Sequence, residues 1–197
     1  MIEMSRRLGN LMEELKKTNS ETFYHCLKVK KLTFELLHMT NANGITHYNK
    51  EQFNAICKGA LLHDIGKLYV KNFVLTKDSY LTDAEREHIK AHTNAGYEAI
   101  KDELEGEELE IVGNICLYHH ERCDGGGYHH KTADELPMYV QIVSVADVYD
   151  ALHSDRVYRD GMSPEDTLKM ITDGKCGAFD PALVAVLAQY VFHHDED

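Results

Sequence analysis

Ala60-Leu61-Leu62-His63-Asp64-Ile65-Gly66-Lys67 closes an apolar-rich segment that begins near residue 50. The segment reads as a helix over about 50–63, with an imidazole and a carboxylate side by side at its end. Adjacent His and Asp give one metal ion a nitrogen ligand and let the carboxylate bridge to a second. Imidazole with carboxylate suits Mn, Fe or Zn better than Ca or Mg. Seen alone the pair is weak, and its weight depends on what the rest of the chain sets beside it.

Working outward, helical spacing dominates. Ile2, Leu8, Leu11, Met12 and Leu15 predict an amphipathic helix near 2–17, and Ser20 reads as the N-cap of a second helix reaching about 40. Asn41–Asn49 reads as a loop. Leu81-Thr82-Asp83-Ala84-Glu85 offers a capped start for a helix to about 103. Another follows near 107–120 and stops before Gly125-Gly126-Gly127. Pro137 opens one through about 154, Ser163-Pro164-Glu165 caps the next, and a last helix begins near Pro181. Met138–Val145 is the one stretch that composition alone would allow as a strand. The expected fold is all-α, a single helical bundle, with residues 1–18 packed as an N-terminal helix on a domain of residues 19–197. Packing of that helix is favoured over a dimer seam, and a homodimer or regulatory protein partner stays open.

The chain has 197 residues and 43% hydrophobic composition, enough for one sizeable core. No apolar run approaches the ~20 residues needed to span a bilayer, and no signal-like stretch opens the chain. A cytoplasmic protein without a membrane partner is expected. Net charge is −12, from 33 acidic and 21 basic side chains. Polymeric nucleic acid is gripped mainly by phosphate-neutralising basic faces, and none is visible. A small phosphorylated substrate is compatible, because bound divalent ions reverse the sign of an acidic pocket. Five cysteines without a CxxC pair read as reduced, partly buried thiols.

Thirteen histidines are many for this length. The doublet His119-His120 sits at an expected helix end, where neighbouring rings can most easily meet one centre; a surface doublet is the alternative. Asp147 lies inside the apolar run Val143-Ser144-Val145-Ala146-Asp147-Val148, and a buried carboxylate needs a cation. Glu21 with His25, and His88 with His92, are pairs four apart on shared helix faces. Either member of the second pair could simply be solvated.

His63-Asp64-Ile65-Gly66-Lys67, His92 with Gly96, His119-His120-Glu121 with Asp124-Gly125 and Gly127-Tyr128, Val145–Leu152, and Phe179-Asp180-Pro181 resemble, in that order, the HD-GYP branch of the HD phosphohydrolases. The resemblance runs from about Glu21 to Val186. It implies His63, Asp64, His92, His119, His120 and Asp147 as metal ligands, with Asp64 bridging, and it selects His92 over His88. Glu21 and His25 match ligands of members that hold a third ion. Asp64 and Lys67 are implied as catalytic, and Lys67, Tyr128, Asp150, Arg156 and Arg159 as substrate contacts. Surface salt bridges are the alternative for the two arginines. Two or three divalent ions, Fe or Mn favoured, are the implied cofactors.

Active members of that family hydrolyse cyclic di-GMP, so the resemblance implies a metal-dependent phosphodiesterase acting on a cyclic dinucleotide through a metal-activated hydroxide. The alternatives are an HD hydrolase of another nucleotide or phosphomonoester, and a non-catalytic module that binds the dinucleotide or a partner. The chain departs from the pattern at Gly127-Tyr128-His129, where the family has Gly-Tyr-Pro. A domain without a preceding sensory segment is expected, although many relatives carry one. With glycines before it and no proline to fix φ at 129, the loop is expected to be mobile while carrying Tyr128 over the substrate. On that reading His129 and His130 are solvent-exposed and His129→Pro keeps or raises activity; the alternative is a further metal ligand or a proton donor, which the same change would remove.

Overall fold

The computed structural model describes residues 4–70, 82–155 and 160–194, and among them there is no strand. Pairing of β type is confined to two isolated bridges, Asp124 with Thr132 and Lys175 with Gly177. The all-α reading holds, and Met138–Val145 is helical.

Helix α1 (Arg6–Thr18) is capped by Ser5, whose hydroxyl accepts from the Leu8 amide, and it buries Leu8, Met12 and Leu15. In α2 (Ser20–Ala42) the cap lies one residue earlier than expected: the Asn19 side chain accepts from the Thr22 amide. A reciprocal Asn49–Gln52 capping box starts α3 (Lys50–Leu62), and a 3-10 turn over Ile65–Tyr69 follows it. The helix expected over 83–103 is two helices, α4 (Asp83–Lys90) and α5 (His92–Ile100). The break has a local cause. His92 Nδ1 bonds the Ile89 carbonyl at 2.6 Å and Thr93 Oγ1 donates to the Lys90 carbonyl at 3.0 Å, so side chains take acceptors at the junction. After α6 (Gly106–Tyr118) come α7 (Met138–His153), α8 (Pro164–Thr172, capped by Ser163) and α9 (Pro181–His194).

Two apolar cores fill the bundle. Val29, Leu36, Ile56, Ile115, Ile142, Val145 and Leu187 belong to one; Leu8, Leu15, Cys26, Leu62, Ile65, Ile100 and Cys116 belong to the other. Helices α2, α3 and α6 feed both, which fixes their relative positions. Cys26, Cys57, Cys116, Cys123 and Cys176 are free thiols. Among the described residues, no helix is long and apolar enough to cross a membrane.

Candidate metal centre

His63 stands at the C-terminal cap of α3 with helical backbone angles, and Asp64 follows as the chain turns. The turn can dock here because residue 66 has no side chain. A Cβ on Gly66 would lie 1.9 Å from the His92 carbonyl oxygen and 2.5 Å from the Gly96 amide nitrogen. Backbone-to-backbone contact of this kind brings Asp64 beside the first residue of α5. His119 and His120 come from the end of α6, Asp147 from α7 and His25 from α2.

The rings of His63, His92 and His119 are fully buried. Each commits Nδ1 to a backbone carbonyl: His63 to Ala60 at 2.8 Å, His92 to Ile89 at 2.6 Å, His119 to Ile115 at 3.0 Å. A neutral ring held this way has its proton on Nδ1 and a lone pair on Nε2. Yet His92 Nε2 and His119 Nε2 are 3.3 Å apart, and the Asp64 Oδ1 atom is 3.3 Å from the first and 3.9 Å from the second. Lone pairs facing one another need a cation between them. Two nitrogens each about 2.1 Å from one tetrahedral or octahedral ion would lie about 3–3.4 Å apart. His63 Nε2 and Asp64 Oδ1 are also buried without a hydrogen-bond partner. The donor set therefore fits a divalent ion, and three groups of side chains offer ligand atoms within 4.8 Å of one another: Asp64 with His92, His119 and His120; His25, His63 and Asp64; His63, His119 and Asp147.

The charges at His119 and His120 agree with neutral rings, whereas at His63 burial works downward but Asp64 carries the pKa well above its ordinary value. Burial pushes the His119 pKa well down, and nearby His120, His63 and His92 add to it. His120 is lowered to about 3 by burial. Burial would raise the Asp64 carboxyl, but Lys67 and His63 hold it well below the usual range. The Lys67 ammonium is 2.6 Å from Asp64 Oδ2. Burial likewise works against Asp147, and His25 outweighs it.

His25 is held differently. Its Nδ1 lies 2.6 Å from Asp150 Oδ2 and its Nε2 lies 2.9 Å from Asp147 Oδ1. Burial lowers this histidine, but the two carboxylates carry its pKa above the ordinary value. His88 on α4 and Glu21 in the first turn of α2 are in none of the three groups. Arg156 and Arg159 lie outside the described residues.

Beyond His120 the chain forms the loop with Tyr128, and its organiser is Glu121. This carboxylate is 2% exposed and accepts the amides of His129 and Lys131, each at 2.8 Å. Gly127 rests directly on it, since a Cβ there would be 2.4 Å from Glu121 Cα. The Tyr128 ring is thereby set 4.5 Å from the His120 ring and 6.5 Å from that of His92. Arg122 donates to the Glu121 carbonyl, Ser144 Oγ and the Cys176 carbonyl, and packs on Phe179.

The HD domain family model matches residues 37–183. The chain belongs to the HD domain family, and its HD-GYP resemblance stands. It is 35% identical over 140 residues to the cyclic di-GMP phosphodiesterase response regulator RpfG of Xanthomonas campestris pv. campestris, covering 71% of this chain and 37% of that protein. It is 30% identical over 194 residues to 3'3'-cGAMP-specific phosphodiesterase 1 of Vibrio cholerae, covering 95% of this chain and 42% of that one. This chain thus spans well under half the length of either relative. In fold it matches an HDG"Y"P protein from Bdellovibrio bacteriovorus with a TM-score of 0.68 at 19% identity, over 91% of this chain and 55% of that one.

Within this HD domain, the loop expected to be mobile places two backbone amides on Glu121. The His129 amide makes a bond that a proline could not make. His129 is solvent-exposed, as expected, with its ring 5.4 Å from that of Tyr118. His130 is exposed, with positive φ. Sequence reasoning quoted Glu121 without giving it a role and passed over Arg122. Their partners are mostly backbone atoms, which leave no residue pattern to read.

Proposed function

We propose that this chain hydrolyses a phosphodiester bond of a 3'3'-cyclic dinucleotide, cyclic di-GMP first, with two or three bound iron or manganese ions. The observation that carries the reading is the set of buried imidazoles with Nδ1 locked and Nε2 lone pairs converging on Asp64. In it, His63, His92, His119, His120 and Asp147 hold the inner ions, Asp64 bridges them, and His25 with Glu21 serves an outer one. Ions in such a site activate water at neutral pH and polarise phosphoryl oxygens. Lys67 supplies ammonium donors to the phosphate, and Arg156 and Arg159 add guanidinium forks. Tyr128 stacks on a base, and Asp150 contacts the substrate beyond His25. Residues 1–18 serve as an N-terminal helix on a catalytic domain of residues 19–197, acting in the cytoplasm, with self-association or a regulatory partner as further features.

A second substrate is 3'3'-cGAMP, because the chain also aligns over 95% of its length with a phosphodiesterase named as specific for it. The test is turnover of cyclic di-GMP, 3'3'-cGAMP and a panel of mononucleotides by anaerobically purified, Fe- or Mn-loaded protein, with products separated by chromatography. Cleavage of one or both cyclic dinucleotides is expected. Cleavage of mononucleotides alone would replace this reading with a phosphomonoesterase, and binding without turnover would replace it with a receptor.

A further inference from the structure

Two cavities of similar size open on the described surface. The larger, about 600 Å³, lies among α1, α3 and α6, is lined by Glu51, Glu103, Glu107 and Glu108 around Lys58, and shares no residue with the metal cluster. The other, about 570 Å³, lies among α2, α7 and α9, and Asp150 forms part of its wall. Its volume is in the range of small-molecule sites. Asp150 Oδ2 is the atom 2.6 Å from His25 Nδ1, so one carboxylate separates this cavity from the metal-type side chains.

Three kinds of group line it. Lys28 and Lys31, one turn apart on α2, supply positive charge. Lys28 Nζ donates to Ser154 Oγ at 2.9 Å, and Ser154 Oγ donates to Asp150 Oδ1 at 2.8 Å, so Lys28 is built into the wall. Lys31 is exposed and makes no ion pair among the described residues. Tyr190 brings an aromatic ring, and Asp155 a carboxylate that accepts the Gly161 amide at 2.8 Å.

A cyclic dinucleotide cut at one phosphate still has a second phosphate and its nucleosides to be held. An ammonium, a ring face and a carboxylate recognise, in turn, a phosphate, a base face and the N–H edge of a purine. We propose that this cavity holds the half of the substrate that is not being cleaved. Lys31 meets the non-scissile phosphate, Tyr190 lies against the base and Asp155 accepts from the purine N–H edge. The inference rests on the cyclic-dinucleotide reading above and extends it to specificity.

The experiment compares wild type, Lys31→Glu and Asp155→Asn on cyclic di-GMP, cyclic di-AMP and bis(p-nitrophenyl) phosphate. The last is a diester too small to span cluster and cavity. Lys31→Glu, a change at an exposed side chain, should raise KM for cyclic di-GMP at least tenfold. Its kcat, metal content and small-diester turnover should stay within twofold. Asp155→Asn, which still accepts the Gly161 amide, should narrow the preference between the two cyclic dinucleotides. An unchanged KM in Lys31→Glu, or equal losses on both kinds of diester, overturns the cavity assignment alone. Wild type that cleaves the small diester but neither cyclic dinucleotide overturns the functional reading and this inference with it.

Discussion

His63, His92 and His119 each rest one ring nitrogen on a carbonyl three or four residues away in sequence. His25 rests both nitrogens on carboxylates 122 and 125 residues away. The inner rings are oriented by contacts within four residues of chain, that of His92 across the α4–α5 junction. His25 is oriented only when α2 packs on α7, and its Nε2 lies 2.9 Å from Asp147 Oδ1. The inner rings are thus oriented locally, whereas His25, in the outer set, is oriented by a tertiary contact.

The sharpest way to break this comparison is at Asp64, the carboxylate shared by both sets. Asp64→Ala should lose essentially all bound metal and turnover, while His88→Ala keeps both, as elemental analysis of anaerobically prepared protein would show. Retention of near-normal metal by Asp64→Ala would mean that the imidazoles alone hold the ions. Next in size is Lys67→Met. Losing one positioned, charge-assisted contact costs on the order of 1.5–3 kcal/mol, so kcat/KM should fall about 10- to 100-fold with metal content kept. A variant that loses its metal instead would show that Lys67 acts through the Asp64 carboxylate.

The outer set predicts a smaller, stoichiometric effect. Glu21→Ala or His25→Ala should lower metal content by about one ion and leave the inner ions bound. If Glu21→Ala changes nothing, Glu21 is a carboxylate of the helix surface, in keeping with its place outside the three ligand groups.

The histidines also titrate in opposite senses, and His63 of the inner set goes with His25. Burial, first, lowers His92, His119 and His120 in the folded, metal-free protein. The unfolded chain has ordinary imidazoles near ~6.5, so below that pH it binds protons these three refuse, and stability falls with pH. For His25 and His63 burial also works downward, but Asp147 and Asp150 raise the one and Asp64 the other. Their contribution is complete below pH ~6.5 and is lost as pH rises through their folded values. Metal-free protein should therefore be most stable near pH ~6.5, with each singly titrating group changing stability by about 1.4 kcal/mol per pH unit on its limb. Metal-loaded protein should lack the alkaline limb, because ligand imidazoles are deprotonated. Denaturant titrations across pH with and without chelator check both limbs.

What was legible in the sequence follows the same division. Helical periodicity and caps located the helices, and Ser163-Pro164 and Thr82–Glu85 were read at their true starts. The inner cluster was readable because His63-Asp64 and His119-His120 sit at helix ends. The junction at Ala91 was not readable, because its cause is a side chain bonding a nearby carbonyl in a conformation that spacing does not report. Nor were the Asp150–His25 contact and the pocket beside it, which require the packing of α2 on α7.

Glu121 offers the smallest and most local test. It resembles His25 in being a buried charge satisfied from elsewhere in the chain, but its partners are backbone amides, those of His129 and Lys131. His129→Pro deletes one of these donors. A hydrogen bond to a charged group contributes about 1.5–3 kcal/mol, and a compatible proline returns about 0.4–1 by restricting the unfolded chain. The net loss should be about 1–2 kcal/mol, a fall in Tm of about 2–8 °C for a chain of this size. His129→Ala keeps the amide and should leave Tm within about a degree or two, because the lost ring is exposed. Metal content should be unchanged in both, since His129 is in none of the ligand groups. The loop carries Tyr128 over His120, so the proline variant should also raise KM more than the alanine variant does. If proline instead raises Tm and leaves KM alone, the loop is held by φ rather than by Glu121. Loss of a metal ion in both variants would make the His129 ring a ligand.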